Sequence, residues 1–224
     1  MQAFHVDRTL ALRYLGCART TDEQILRSVD KAALLVEQTA QPRHVTFSAP
    51  ISRGENGVSI QGTTLSLPGK DIADLLREST DAILLCATLG SRVDRLIRQW
   101  QLKDLSFAAM LDACASSAVE VLCDSLEQEL SEQYRQKGLF FTDRFSPGYG
   151  DLPLNVQSSL CAVLDTQRRI GVQVSSSSIL NPRKSVTAVL GVCSSPQPRR
   201  DRCQGCLQYD TCPLRKEGAY CADP

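Results

Sequence analysis

The chain has 224 residues with Lys+Arg 25 against Asp+Glu 25, so it carries no global field that would draw it to nucleic acid or to an acidic membrane. The length suits one large core or one domain with an appendage. The N-terminal decapeptide, with His5, Asp7 and Arg8, is no secretory signal. The longest apolar run, Ala82 to Leu89, falls far short of the roughly 20 residues that span a bilayer. The expectation is a cytosolic protein, in which ten cysteines serve metal binding or core packing before disulfides.

Asp7 to Leu15 has helical spacing and ends at Gly16, with Asp7 or Thr9 as cap. Thr21 to Gln38 predicts a second helix, capped by Thr21, with a stripe of Ile25, Val29, Ala33 and Val36. From Arg43 the period falls to two. Val45 and Phe47, Val58 and Ile60, then Leu65 and Leu67 alternate with polar residues and are punctuated by glycines, as in a small antiparallel meander. A short helix follows over Lys70 to Glu78. Ala82 to Thr88 reads as a central strand, with Cys86 a small buried hydrophobe, and Arg92 to Trp100 as a helix.

Asp104 to Gln136 is the longest helical pattern. Phe107, Leu111, Cys114, Ala118, Leu122, Leu126 and Leu130 form its apolar face. Ser116, Glu120, Asp124 and Glu127 form a polar stripe, on this evidence a solvated face. The stretch from Ala108 to Ala118 is crowded with small residues, which suits tight packing or close approach of a ligand. After Gly138 comes Asp143-Arg-Phe-Ser-Pro-Gly-Tyr-Gly-Asp151. Pro147 locks one φ, and Gly148 and Gly150 permit a sharp bend. The loop presents Arg144, a planar guanidinium suited to a carboxylate, and Tyr149, or it is an ordinary turn with a surface arginine. Leu154 to Arg168 predicts a helix, Ile170 to Ile179 a strand, Asn181 to Ser185 a turn, and Val186 to Val192 a strand. These elements make an α+β fold, an antiparallel sheet flanked by helices, over 1–192.

Composition changes over 193–224. Ser194 to Arg202 reads as a linker, and Cys203-x-x-Cys206-x5-Cys212 follows, flanked by Cys193 and Cys221. Thiolates at this spacing bind one metal from a tight turn, and the metal would hold a segment with little core of its own. The C-x2-C-x5-C order resembles auxiliary iron–sulfur segments of the SPASM type. An iron–sulfur cluster such as 4Fe–4S, zinc, and free thiols all remain open.

The R-x-x-P-G-Y of Arg144, Pro147, Gly148 and Tyr149 resembles the signature loop of the activation domain of cobalamin-dependent methionine synthase. The wider R-F-S-P-G-Y-G-D-L-P-L-N-V-Q is similar to the loop of short stand-alone activation proteins. The P-R-K-S-V-T-A stretch from Pro182 resembles the family's second ligand-side segment. The resemblance runs from about Asp81 to Val192, and more loosely over the N-terminal third. It implies that Arg144 grips the carboxylate of S-adenosylmethionine, that Glu120 or Asp7 meets the ammonium, and that main chain near Gly148 and Tyr149 meets the ribose or base. Leu190 stands where the family commonly has a ligand-side tyrosine. It further implies one electron plus a methyl group delivered to cob(II)alamin on a partner, a methionine synthase or corrinoid methyltransferase, with an electron-transfer protein as donor. No D-x-H-x-x-G motif is present, so the corrinoid must arrive on that partner. With only His5 and His44, no nucleophile–base set is expected. The alternative is a non-catalytic, metal-stabilised binding module or chaperone for corrinoid proteins.

Overall fold

A computed structural model describes residues 4–198 and 209–212 of the chain. Helix α1 (Arg8–Tyr14) starts where the Asp7 carboxylate accepts the Leu10 amide at 3.0 Å. Helix α2 (Glu23–Thr39) is capped by Asp22, which accepts the amides of Gln24 and Ile25; Thr21 lies outside it. A carboxylate both fills an orphan donor and meets the positive helix end, an advantage over the hydroxyl one residue earlier. The meander is β1 (Arg43–Gly54), β2 (Gly57–Ile60) and β3 (Ser66–Pro68). Next come α3 (Lys70–Leu75), β4 (Ser79–Thr88), α4 (Ser91–Gln101) and α5 (Leu105–Arg135), the last capped by Asp104.

The second half runs β5 (Phe140–Phe141), α6 (Val156–Leu164), α7 (Thr166–Ile170), β6 (Gln173–Val174), β7 (Leu180–Asn181) and β8 (Ser185–Cys193). One long helix was expected over Leu154 to Arg168. Instead Asp165, at φ 49°, ends α6 in the left-handed region and starts α7. The strand expected over Ile170 to Ile179 shrinks to the β6–β7 pair. Four consecutive serines, Ser175 to Ser178, have no apolar side chain to bury, and they turn back, with the Ser175 amide donating to the Ile179 carbonyl at 2.9 Å.

Six strands form one antiparallel sheet in the order β3-β2-β1-β4-β8-β5. β4 lies at its centre, with Leu84 opposite Phe47 on one side and Val189 on the other. Its apolar run is continuous because both faces of the sheet are covered. Alternation sorts the side chains. Leu84, Cys86 and Val189 pack with Val156 and Leu160 of α6. Ile83, Leu85 and Leu190 pack with Cys123 and Leu126 of α5. A further cluster joins α5 to α1, α2 and α4 through Ala11, Val36, Val93 and Leu111. By length and composition α5 is apolar enough to cross a bilayer, but half of its most apolar window is buried in the protein, which suits the central helix of a packed core.

Candidate functional site

Phe145 continues the sheet edge beyond β5, exchanging backbone hydrogen bonds of 2.9 and 2.8 Å with Val189. Its ring packs into the cluster beneath α6. Arg144, one residue earlier, faces the other way, towards α5. There its Nη2 lies 2.6 Å from Asp124 Oδ1 and 3.4 Å from Glu120 Oε2, and its Nε 3.4 Å from Glu127 Oε2. The stripe read from the sequence thus becomes a row of carboxylates around one guanidinium. Only 11% of the Arg144 side chain is exposed. Burial works against its charge, but Cys123, Asp124, Glu127 and Glu120 outweigh that and raise its pKa. Its Nη1 is buried and makes no hydrogen bond, the one such side-chain nitrogen or oxygen among the described residues.

Nearer the start of α5, Lys184 Nζ sits 2.9 Å from Asp112 Oδ1 and donates to Ser116 Oγ at 2.8 Å. Ser117 Oγ donates to the Asp7 carbonyl at 2.7 Å, which pins the start of α1 against the same helix. Asp7 therefore flanks the site through its main chain, while its carboxylate caps α1. The pairing of Lys184 with Asp112 escaped the sequence reading, since 72 positions separate them and only the Asp112, Ser116, Glu120 spacing gives a hint.

The rest of the signature loop does structural work. Pro147 is buried. The Gly148 amide donates to the Leu152 carbonyl at 2.9 Å, and the Tyr149 amide to the Ser146 carbonyl at 3.1 Å, so these amides hold the bend itself. Gly148 has φ 92°, a region where a side chain is strained. Tyr149 is exposed, its ring 6.5 Å from that of Phe145. Asp151 reaches α3, where its carboxylate accepts the Lys70 and Asp71 amides at 2.6 and 3.1 Å, and Asp71 accepts the Asp151 amide at 3.2 Å.

No protein-family model matches the sequence, and no curated protein does. Among solved structures, the crystal structure of the MetH reactivation domain bound to AdoHcy is similar, with TM-score 0.66 over 97% of this chain and 83% of that chain, at 15% identity. This chain has the MetH reactivation domain fold.

Within the MetH reactivation domain fold of this protein, Leu190 is a core residue. It is 1% exposed between Ile83 and the side chains of α5, so its side chain has no surface to offer a ligand. Cys193 ends β8, opposite Ser79 and Phe140, and so belongs to the sheet. Its thiol is 1% exposed and 3.3 Å from Ser79 Oγ. Cys212 is half-buried, and Cys203, Cys206 and Cys221 lie outside the described residues. Among the described residues, no group of three or more His, Cys, Asp or Glu is placed to hold a metal.

Proposed function

We propose that this protein binds S-adenosylmethionine along the polar face of α5 and uses it in the reductive methylation of cob(II)alamin carried by a cytoplasmic partner. That partner is a cobalamin-dependent methionine synthase or a related corrinoid methyltransferase. The observation that carries the reading is Arg144 Nη1, a charged donor buried without an acceptor beside Glu120. Leaving such a donor unmade costs on the order of 1–3 kcal/mol, which a ligand carboxylate would relieve. In this reading Glu120, beside Arg144, would receive the ammonium of the same amino-acid end. The solved protein of the same fold holds AdoHcy, which shares that amino-acid end and supports the assignment.

The chemistry asks little of the protein's side chains. One electron from an electron-transfer protein reduces cob(II) to cob(I). Cob(I) then takes the methyl carbon from the sulfonium, whose C–S electron pair returns to sulfur to leave a neutral thioether. The site's part is to fix the amino-acid end so that the methyl group points at the partner, in line for transfer. Titration calorimetry on the full chain tests this. Wild type binds S-adenosylmethionine, and Arg144→Ala weakens binding at least about tenfold, the scale of one lost charged hydrogen bond. Equal affinity in the two proteins removes the reading. Anaerobic return of a cob(II)alamin-loaded partner to its methylated visible spectrum is the functional counterpart.

For the tail, we assign Cys203, Cys206, Cys212 and Cys221 as thiolate ligands of an iron–sulfur cluster or zinc. Their spacing supports this. Cys221 is preferred over Cys193 as the fourth ligand because the Cys193 thiol is buried in the sheet against Ser79. A cluster would supply electron transfer at this point, whereas zinc would serve only to hold the segment.

A further inference from the structure

We infer that Cys86 and Cys161 form a redox-active dithiol, which closes to a disulfide when the protein meets a peroxide and so fastens α6 to the centre of the sheet. Strand register brings the two together. Cys86 stands in β4 directly opposite Val45 of β1 and Thr187 of β8. Val45 and Cys86 belong to the cluster that α6 covers. Thr187 leaves the sheet on the same face, since its Oγ1 donates to Gln157 Oε1 of α6 at 2.9 Å. That bond seats α6 over β8, one strand spacing of about 4.8 Å from Cys86. Cys161 follows Gln157 by one helical turn and is buried on the same side of α6. The two thiols are hydrogen-bonded to each other. By contrast, Cys114 turns to the Val29 carbonyl and Cys193 to Ser79 Oγ.

The two sulfurs are not equivalent. The hydrogen bond from Cys86 lowers the pKa of Cys161 against the effect of burial, and the same bond together with burial raises that of Cys86. Cys161 therefore loses its proton first, with Cys86 still protonated beside it. Access runs in the same order, since Cys161 is 6% exposed and Cys86 0%. Cys161 is thus the attacking sulfur. Its thiolate takes one oxygen of hydrogen peroxide, the O–O bond breaks, and the departing hydroxide picks up the proton that Cys161 released. The Cys86 sulfur then attacks the Cys161 sulfenic acid. The S–S bond forms as the S–O bond breaks, and the oxygen leaves as water with the proton of Cys86. Two thiols and one peroxide become one disulfide and two waters. A resolving thiol in contact also keeps Cys161 from the irreversible sulfinic acid. The moving part is α6, a helix of nine residues that ends at the left-handed Asp165, whereas β4 is held on both sides.

Peptide mapping of the full chain tests this. Trypsin leaves Cys86 in the fragment 78–92 and Cys161 in the fragment 145–168, each with a single cysteine. After treatment with hydrogen peroxide and alkylation in denaturant, the expected product is these two fragments joined, lighter than their sum by two hydrogens and separated again by dithiothreitol. The joined protein should melt about 5 °C or more higher, because the loop that the bond closes is long, and reduction should reverse the rise. In Cys86→Ala the resolving sulfur is gone, so dimedone should trap Cys161 as its sulfenic acid. In Cys161→Ala dimedone should leave Cys86 unlabelled. Full alkylation of both cysteines after peroxide would overturn the inference, as would dimedone labelling of Cys86 in place of Cys161. A joined protein that melts as the reduced one does would show that the bond does not fasten α6. Should either variant melt early, the wild-type map decides.

Discussion

At the scale of single residues, Arg144 is ringed by carboxylates on one face of α5. Glu120, Asp124 and Glu127 all lie within ion-pair distance of that one guanidinium. Asp124 is 68% exposed and is screened by water, so Glu120 and Glu127, at 38% and 32%, weigh more per charge. Two buried thiols of α5 report on burial on different faces of the helix, Cys123 beside Arg144 and Cys114 against α1 and α2. Cys123 and Cys114 are each pushed from 9.0 up to about 12, by burial first. Below pH about 9 they are protonated folded or unfolded, and their ionisation leaves stability unchanged. Above it the unfolded chain ionises first, so each thiol removes about 1.4 kcal/mol of stability per pH unit until about pH 12. Urea denaturation at pH 8 and pH 10 should show this fall. Cys123→Ala should lessen its slope by the share of one thiol, and an unchanged slope would refute the assignment.

At the scale of elements, the signature loop divides into two parts with different tasks. Arg144 serves the α5 face, whereas Gly150 and Asp151 fasten the loop to α3. Gly150 has φ 51°, and a Cβ there would lie 2.2 Å from Asp71 Oδ2. Asp151 supplies the side-chain cap of α3, whose own N-cap residue is Gly69. Losing such a cap costs about 1 kcal/mol, or roughly 2–4 °C in a chain of this size. Asp151→Ala should therefore lower the melting temperature by about that amount, with S-adenosylmethionine affinity nearly unchanged. A melting temperature equal to wild type would show that the cap contributes nothing. The α5 stripe was legible because a 3.6-residue period survives over a long helix. β5 was not, since two residues carry no period, and neither was the α6–α7 break, where one left-handed residue interrupts an otherwise helical pattern.

For the whole molecule, the sheet closes at Cys193 and the candidate site lies on α5, apart from the cysteine motif in sequence and in its proposed task. Cys203→Ser together with Cys206→Ser should remove bound iron or zinc, read by elemental analysis, while S-adenosylmethionine binding persists. Retention of full metal content would dismiss these two ligands. The sequence by itself determined the antiparallel α+β plan, the long central helix with its polar stripe, and Arg144 as the residue to watch. Periodicity, caps and a short motif are local properties, and a local reading captures them. Only the tertiary structure decided that Arg144 lies among three carboxylates with one donor unmatched, that Lys184 joins Asp112 and Ser116, that Leu190 is core, and that Cys86 meets Cys161. Those facts depend on which strand borders which helix and on which face a side chain leaves, and packing sets both across separations that no local pattern encodes.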